Sequence, residues 1–100
     1  MAIQIGRHLF HGPYRNTAEI ENRPGVYLVL CEQALENSYI DSGHSNSLRA
    51  AVETNHSAGG WFENCFGLIV IAVMYTDDIP HEGRMLIERE IRSLYGANPL

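Results

Sequence analysis

The sequence contains no apolar run long enough to cross a membrane. Its longest uninterrupted apolar run is Leu68 to Tyr75, whereas a transmembrane helix needs about 20 apolar residues. The segment that begins at Met1 also lacks the basic start and apolar stretch of a signal peptide, so we expect a cytoplasmic location. Cysteine is scarce, and because Cys31 and Cys65 both lie in or beside apolar segments, we expect two buried free thiols.

Lysine is missing altogether, and the seven cationic side chains are all arginine, against twelve acidic side chains. The formal net charge of −5 excludes a general nucleic-acid coat, which would carry a basic surplus. A few arginines can still hold phosphate at one site, because a guanidinium group binds phosphate through two parallel hydrogen bonds. The acidic composition therefore leaves a localised nucleic-acid site open.

The overall composition is typical of one small globular domain. Of the 100 residues, 45% are apolar and 19% are charged, which is ordinary for a folded chain with a single core. No repeat, linker or low-complexity block divides the chain. The first 24 residues are weakly patterned: Phe10 to Tyr14 predicts a turn, and Asn16 to Glu19 predicts one short helical turn.

From Gly25 onwards the hydrophobic pattern alternates between strand and helix. Apolar and β-branched segments predict strands at Gly25 to Cys31, Ser38 to Gly43 and Gly67 to Tyr75. Apolar residues at helical spacing predict helices near Asn46 to Asn55 and from His81 to Tyr95. This order predicts an α+β fold, with a three-stranded, mainly antiparallel sheet flanked by helices.

Four short motifs lie on these elements in chain order. They are Gly25-Val26-Tyr27 on the first strand, Tyr39-Ile40-Asp41-Ser42-Gly43 on the second, Ser47-Leu48-Arg49 at the start of the first helix, and Glu88-Arg89-Glu90-Ile91-Arg92 in the last helix. Each is weak alone, but four in this order are more specific. Together they resemble the GIY-YIG nuclease superfamily. The resemblance covers about residues 25–100 of a single domain, 1–100.

The resemblance implies hydrolysis of a DNA phosphodiester bond with the help of Mg²⁺ or Mn²⁺. Glu88 corresponds to the glutamate that binds the metal in that family, and Tyr27 matches a tyrosine that contacts the attacking water. In the family, an arginine on the first helix holds the scissile phosphate and stabilises the transition state. These three roles are expectations that rest on the resemblance.

The second motif departs from the family pattern. The second family tyrosine lies two residues before the motif glycine, where this chain has Asp41. Tyr39 is two residues further back on the same face of a strand, and we take it as the nearest substitute. His44 directly follows Gly43, where some members have a lysine, and it is our candidate general base because imidazole titrates near neutrality.

The first helix departs further, because Ala51 occupies the position of the family arginine. Three explanations are open: a degenerate nuclease fold, the use of another arginine, or a deliberate Arg-to-Ala change, which we rank first. Asn55 stands where many relatives have histidine or tyrosine. We expect Arg49, Ser45 and Asn55 to bind DNA, although Arg49 is turned by about 200° from Ala51 on the helix.

Ordinary structural roles compete with each of these assignments. Tyr27 could be a core aromatic residue, and Glu88 could pair with Arg84 or Arg92 at helical i,i+4 spacing. Asp41 could be a second metal ligand, but an Asx turn is favoured narrowly. The main alternative function is an inactive nuclease fold that binds nucleic acid or a protein partner.

The nuclease interpretation makes a geometric demand that a structure can meet or fail. Tyr27, His44 and Glu88 should converge on one concave surface, because metal, water and phosphate must be held together there. Ala51 should face the same cleft, and Arg49 should point elsewhere. A position of Glu88 on the face opposite Tyr27 would contradict the nuclease interpretation, and an Ala51 packed in the core would contradict the replacement of an arginine there. Recognition of a particular DNA sequence would need a homodimer or a partner, since 100 residues leave no room for an added recognition module.

Overall fold

The computed structural model of the chain describes residues 2–34 and 36–96, which form an antiparallel sheet with two α-helices. The strands are β1 (Ala2–Ile5), β2 (His8–Tyr14), β3 (Gly25–Gln33), β4 (Glu36–Ser45) and β5 (Leu68–Tyr75). The helices are α1 (Leu48–Ala58) and α2 (His81–Gly96), and short 3-10 helices cover Thr17–Glu19 and Gly60–Asn64. The strand order is β1-β2-β5-β3-β4, so β5 is central and β4 lies at an edge.

Strands β3 and β5 form the centre because their side chains are apolar on both faces. Residues 25–31 and 69–73 are all buried, as expected for strands covered on both sides. The register sets Tyr27 opposite Val73 on β5 and opposite Gly43 on β4. Burial of this kind contributes about 1.5–3 kcal/mol for each large apolar side chain.

The sheet separates two apolar clusters, one beneath each helix. The α1 side holds Ile20, Tyr27, Val29, Leu48, Val52, Trp61, Ile69, Ile71 and Val73. The α2 side holds Phe10, Val26, Leu28, Leu30, Val70, Ala72, Ile87 and Ile91. Successive side chains of a strand point to opposite faces, so the alternation along β3 and β5 supplies both clusters at once.

Helix α1 begins and ends where the sequence supplies suitable residues. The hydroxyl of Ser45 accepts a hydrogen bond of 2.9 Å from the backbone N–H of Ser47, just before the first turn. Leu48 and Val52, one turn apart, are fully buried against the sheet. Gly59 ends the helix with a φ of +81°, a conformation that glycine adopts without steric cost.

The expected α+β class is confirmed, but the prediction of three strands is wrong because the sheet has five. The two additional strands, β1 and β2, come from the segment whose pattern is weak. Gly12 and Pro13 lie inside β2. Because glycine and proline are uncommon inside strands, this part of the sequence predicts a turn. The pairing of β2 with β5 is also irregular between His11 and Tyr14. Strand β2 nevertheless contributes to the core, because its Phe10 is completely buried.

The expectation of two free thiols is wrong as well. Cys31 and Cys65 form a disulfide across a sequence separation of 34 residues. This bond ties the segment after the 3-10 helix at residues 60–64 to the end of β3. Within the ranges that the structure describes, no helix is both long enough and apolar enough to span a bilayer.

Candidate functional site

A hydrogen bond between His44 and Glu88 joins the second and the last motif. His44 is near the end of the edge strand β4, and Glu88 is near the middle of α2, 44 residues later in the chain. Nδ1 of His44 contacts Oε2 of Glu88. Both side chains are partly sheltered, at 24% and 15% exposure, so water weakens this ion pair or hydrogen bond less than it would at a fully open surface.

Arg92 completes the environment of the Glu88 carboxylate. Its Nη2 lies 2.9 Å from Oε1 of Glu88 and donates to the backbone carbonyl of Ser42 at 3.2 Å. The i,i+4 ion pair that competes with a functional role of Glu88 is therefore formed with Arg92. It is absent for Arg84, which forms no ion pair with Glu88 within the described part of the chain.

Two residues from the first turns of α2 extend this cluster. The ring of His81 packs edge-on against the ring of His44, with 5.2 Å between their centroids. Nη2 of Arg84 approaches Nδ1 of His81 at 3.4 Å and donates to the side-chain oxygen of Asn46. His81, Arg84, Glu88 and Arg92 are spaced by three or four residues, so they share one flank of the helix.

Tyr27 reaches the edge of the sheet across Gly43. A Cβ atom at Gly43 would overlap the hydroxyl oxygen of Tyr27 and would lie only 2.8 Å from its Cε1 atom. The absence of a side chain at Gly43 therefore makes room for the tyrosine to lie over β4. Tyr27 is 93% buried, and its ring packs against that of Trp61, with 6.1 Å between ring centroids.

The environment of Tyr27 favours the neutral phenol. Burial raises the pKa of Tyr27 above its usual value, and the negative charges of Asp41 and Glu88 raise it further. Asp41 itself accepts hydrogen bonds from the indole N–H of Trp61 at 3.1 Å and from the backbone N–H of Ser42 at 2.8 Å. Asp41 thus holds Trp61 against the sheet rather than meeting Glu88.

The expected single surface is only partly formed. His44 and Glu88 are on the α2 side, whereas Tyr27 belongs to the cluster on the α1 side. Tyr27 leaves the sheet on the face opposite Glu88, and Ala51, on α1, is on the Tyr27 side as well. The expectation that they would face one cleft with Glu88 is therefore wrong, and this counts against the nuclease interpretation. Only the hydroxyl end of Tyr27, which lies over Gly43, comes within electrostatic range of Glu88. The two groups approach each other only around the edge strand β4, where Gly43 lets the tyrosine extend outward.

Tyr39 and Ser45, two other predicted site residues, form hydrogen bonds within the protein. The hydroxyl groups of Tyr39 and Ser42 are 2.9 Å apart, and Tyr39 packs against the apolar cluster on the α2 side. The register of β4 shifts between the partners of Val29 and Leu30. Tyr39 thus lies on the face that holds Glu88, and Ser45 serves the start of α1.

The predicted residues of α1 lie on two flanks. Arg49 pairs with Glu53 at 3.4 Å, and Glu53 accepts a bond of 3.0 Å from Thr17, so this flank faces the first 3-10 helix. Ala51 is partly exposed and lies outside both apolar clusters, with its carbonyl 2.8 Å from the side-chain nitrogen of Asn55. Arg49 therefore points away from Ala51, as the helix geometry requires.

The donor set at Glu88 is compatible with a hard divalent cation. Mg²⁺ is commonly held by one or two carboxylates, with water and phosphate oxygens as its other ligands. Each oxygen of Glu88 makes one contact, to His44 or to Arg92, and a carboxylate oxygen has a second lone pair to offer. Within residues 2–34 and 36–96, no group of three or more His, Cys, Asp or Glu side chains is arranged to hold a metal ion.

Sequence reasoning did not place His81 beside the candidate site, and it considered Arg84 only as an ion-pair partner of Glu88. Their i,i+3 spacing and their distances of seven and four residues from Glu88 place them on its flank, and this signal was available. The burial of Arg84 was not, because it depends on how α2 packs beside Asn46. Comparison with protein-family models, with curated proteins and with solved structures finds no match to this chain.

Proposed function

We propose that the chain is a metal-dependent DNA endonuclease of the GIY-YIG type, acting through His44 and Glu88. One observation carries this proposal: the motif around Gly43 and the motif around Glu88 meet through the hydrogen bond between His44 and Glu88. The two side chains could have lain anywhere on a sheet and a helix 44 residues apart. A contact between the two predicted site residues supports a common chemical role.

His44 is the general base in this proposal. Its Nδ1 faces Glu88, which leaves Nε2 as the nitrogen that can take a proton from water. A carboxylate on the opposite nitrogen fixes the orientation of the ring and stabilises the imidazolium ion that forms. The partial exposure of the ring gives water and a phosphodiester access to it.

Glu88 also supplies the carboxylate that would hold the divalent metal, Mg²⁺ or Mn²⁺. When bound, the metal neutralises the charge that develops on the phosphate and helps the leaving oxygen depart. Arg92 fixes the carboxylate in position through its contact with Glu88. Tyr27, with its raised pKa, is suited to donate a hydrogen bond to water at the edge of β4 rather than to act as a base.

Ala51 limits the rate of the chain in its present form. Removing one group that stabilises the transition-state charge costs about 3–4 kcal/mol, or roughly two to three decades in rate. Ala51 is partly exposed and lies on the flank of α1 opposite Arg49, so an arginine there could extend without disturbing the core. Because α1 and α2 are on opposite faces of the sheet, that arginine would approach the phosphate around the edge strand β4. We propose that Ala51→Arg raises the cleavage rate by about a hundredfold or more.

The test is cleavage of supercoiled plasmid and of single-stranded DNA with Mg²⁺ or Mn²⁺. The unmodified chain, Ala51→Arg, and Ala51→Arg combined with Glu88→Gln are compared. Cleavage that Ala51→Arg increases and Glu88→Gln abolishes supports the proposal. Glu36→Gln is the matched control, because Glu36 is an exposed glutamate at the opposite end of β4 and its removal should leave cleavage unchanged.

The alternative function is a catalytically inactive module that binds DNA or a protein partner. The observation in its favour is that both oxygens of Glu88 already have cationic or hydrogen-bonding partners, His44 and Arg92. DNA binding without cleavage by any variant, in either metal, would replace the enzyme proposal with this one. Neither cleavage nor DNA binding would favour a protein partner.

A cytoplasmic location stays a prediction, and the disulfide weighs against it. Disulfides persist in oxidising compartments and are rare in the cytosol, whereas Cys31 and Cys65 are paired here. Recognition of a specific DNA sequence remains assigned to a homodimer or a partner.

A further inference from the structure

Arg84 is a buried cation that has no carboxylate partner among the residues that the structure describes. Its residue is 94% buried, and within the described ranges its side chain contacts only neutral or weakly basic groups: the oxygen of Asn46 and a ring nitrogen of His81. Its Nε–H is buried and makes no hydrogen bond among the described residues. A buried guanidinium in this state is costly, because burial of a charge is normally offset by pairing.

The other arginines show how unusual this is in an acidic chain. Five of the seven form ion pairs with carboxylates: Arg7, Arg15, Arg23, Arg49 and Arg92. Among the residues that the structure describes, Arg84 and the exposed Arg89 have no such partner. With twelve acidic side chains in the sequence, the lack of one beside the most buried guanidinium is compatible with a site for an anion from outside the chain.

We propose that Arg84, together with His81, binds a phosphate group of the DNA backbone that takes the place of Asn46 on the guanidinium group. This inference rests on the proposed nuclease function, and it adds a phosphate contact on α2 to the one proposed for position 51 on α1. Arg84 is one helical turn before Glu88 on the same flank, and His81 links it to His44 through the contact of their rings. A phosphate bound here would be adjacent to the carboxylate and the base.

Asn46 is the group that a phosphate oxygen would replace. It is exposed and accepts from Nη2 of Arg84, so the Nη2 end of the guanidinium lies towards the surface. A neutral amide oxygen is a weaker partner for a guanidinium than an ionised phosphate oxygen. Asn46 therefore holds Arg84 in place and can yield to the ligand without leaving a buried charge unpaired.

The substitution Asn46→Asp tests this directly, because it places a carboxylate where Arg84 already has a partner. Thermal unfolding of the full chain is measured without metal, in increasing inorganic phosphate, with sodium chloride at matched ionic strength as the reference. We expect phosphate to raise the Tm of the unmodified chain by about 4 °C or more. Asn46→Asp should have a higher Tm without phosphate and at least tenfold weaker phosphate binding.

Arg84→Gln should abolish the phosphate effect, and Arg15→Gln should preserve it, since Arg15 is exposed and pairs with Glu32 at the far end of β3. If Arg84→Gln does not fold, Asn46→Asp still tests the inference, because this substitution leaves every buried side chain in place. Equal phosphate responses in Asn46→Asp and the unmodified chain would overturn the inference. So would the absence of any response in the unmodified chain.

A second arm separates DNA from free phosphate. Binding of a fluorescent duplex or single-stranded oligonucleotide is measured in EDTA over a range of salt concentrations. Loss of one phosphate contact in Asn46→Asp should lower the slope of log affinity against log salt by about 0.7–0.9. An unchanged slope would overturn the assignment to DNA. Because neither arm needs cleavage, this site can fail while the nuclease proposal stands, and the reverse also holds.

Discussion

The hydroxyl group of Tyr27 occupies the space that any side chain at Gly43 would fill. The two residues are direct partners in the register of β3 and β4, so their side-chain positions are on the same face of the sheet. A tyrosine on one strand and a glycine on the next form a single packing unit, and the glycine is required for space rather than for an unusual backbone conformation.

Gly43→Ala should destabilise the fold, because its methyl group would overlap the tyrosine ring and hydroxyl. Overpacking of this kind costs about 1–3 kcal/mol, which urea unfolding would detect as a lower midpoint. Gly60→Ala is the control, since a Cβ atom at Gly60 meets nothing within 4 Å. Equal stability of the two variants would contradict this account of the contact.

His44→Gln should slow DNA cleavage without preventing DNA binding. Loss of a general base lowers rates by roughly two to four decades, whereas the phosphate contact proposed for Arg84 does not involve the side chain of His44. The measurement compares single-turnover cleavage and oligonucleotide affinity in the Ala51→Arg background. A cleavage rate within a factor of two of the parent would remove His44 from the mechanism.

Reduction of the disulfide between Cys31 and Cys65 should lower the free energy of unfolding by about 3–4 kcal/mol, because it releases the constraint on a loop of this length in the unfolded chain. Trp61 is the only tryptophan in the sequence, so its fluorescence reports unfolding of the segment that the disulfide holds. The Cys31→Ser/Cys65→Ser variant should behave like the reduced protein and should not respond to dithiothreitol. Thiol titration that finds two reactive cysteines in the untreated, unfolded chain would restore the free-thiol prediction.

Stability should fall at alkaline pH in part because of Tyr27. Burial raises the pKa of this phenol, so the stability it contributes is fully present below its unfolded pKa of about 10 and is lost as the pH rises through the folded value. Burial also raises the pKa of Tyr14, so Tyr27→Phe should remove only part of the slope. The check is the free energy of unfolding in urea between pH 8 and pH 11, and a slope unchanged by Tyr27→Phe would contradict the assignment.

The parts of the fold that could be predicted are those whose signal is local. The apolar runs of β3 and β5 predict buried strands whatever surrounds them, and the apolar stripe around Ile87 and Ile91 predicts α2. Strand β2 could not be recognised, because its Gly12-Pro13 pair is typical of a turn, and the strand is held extended by its pairing with β1 and β5. The extended conformation of β2 therefore depends on tertiary contacts rather than on its local sequence.

The candidate site divides in the same way. A resemblance between motifs was enough to single out His44 and Glu88, which the structure places in contact. The sequence could not predict that Arg84 forms no ion pair with Glu88, because the i,i+4 spacing of the two residues favours such a pair. The carboxylate turns instead to His44 and Arg92, and that choice depends on where β4 passes beside the helix.

The contact between Arg92 and the carbonyl of Ser42 has a consequence for association between molecules. Strand β4 is at the edge of the sheet, and an edge strand offers its backbone groups to any other extended chain. A guanidinium group that already bonds one of these carbonyls presents a bulky, charged obstacle to a strand arriving from a second copy. Arg92 therefore hinders fibril-like growth along the same edge at which Glu88 and His44 are partly exposed.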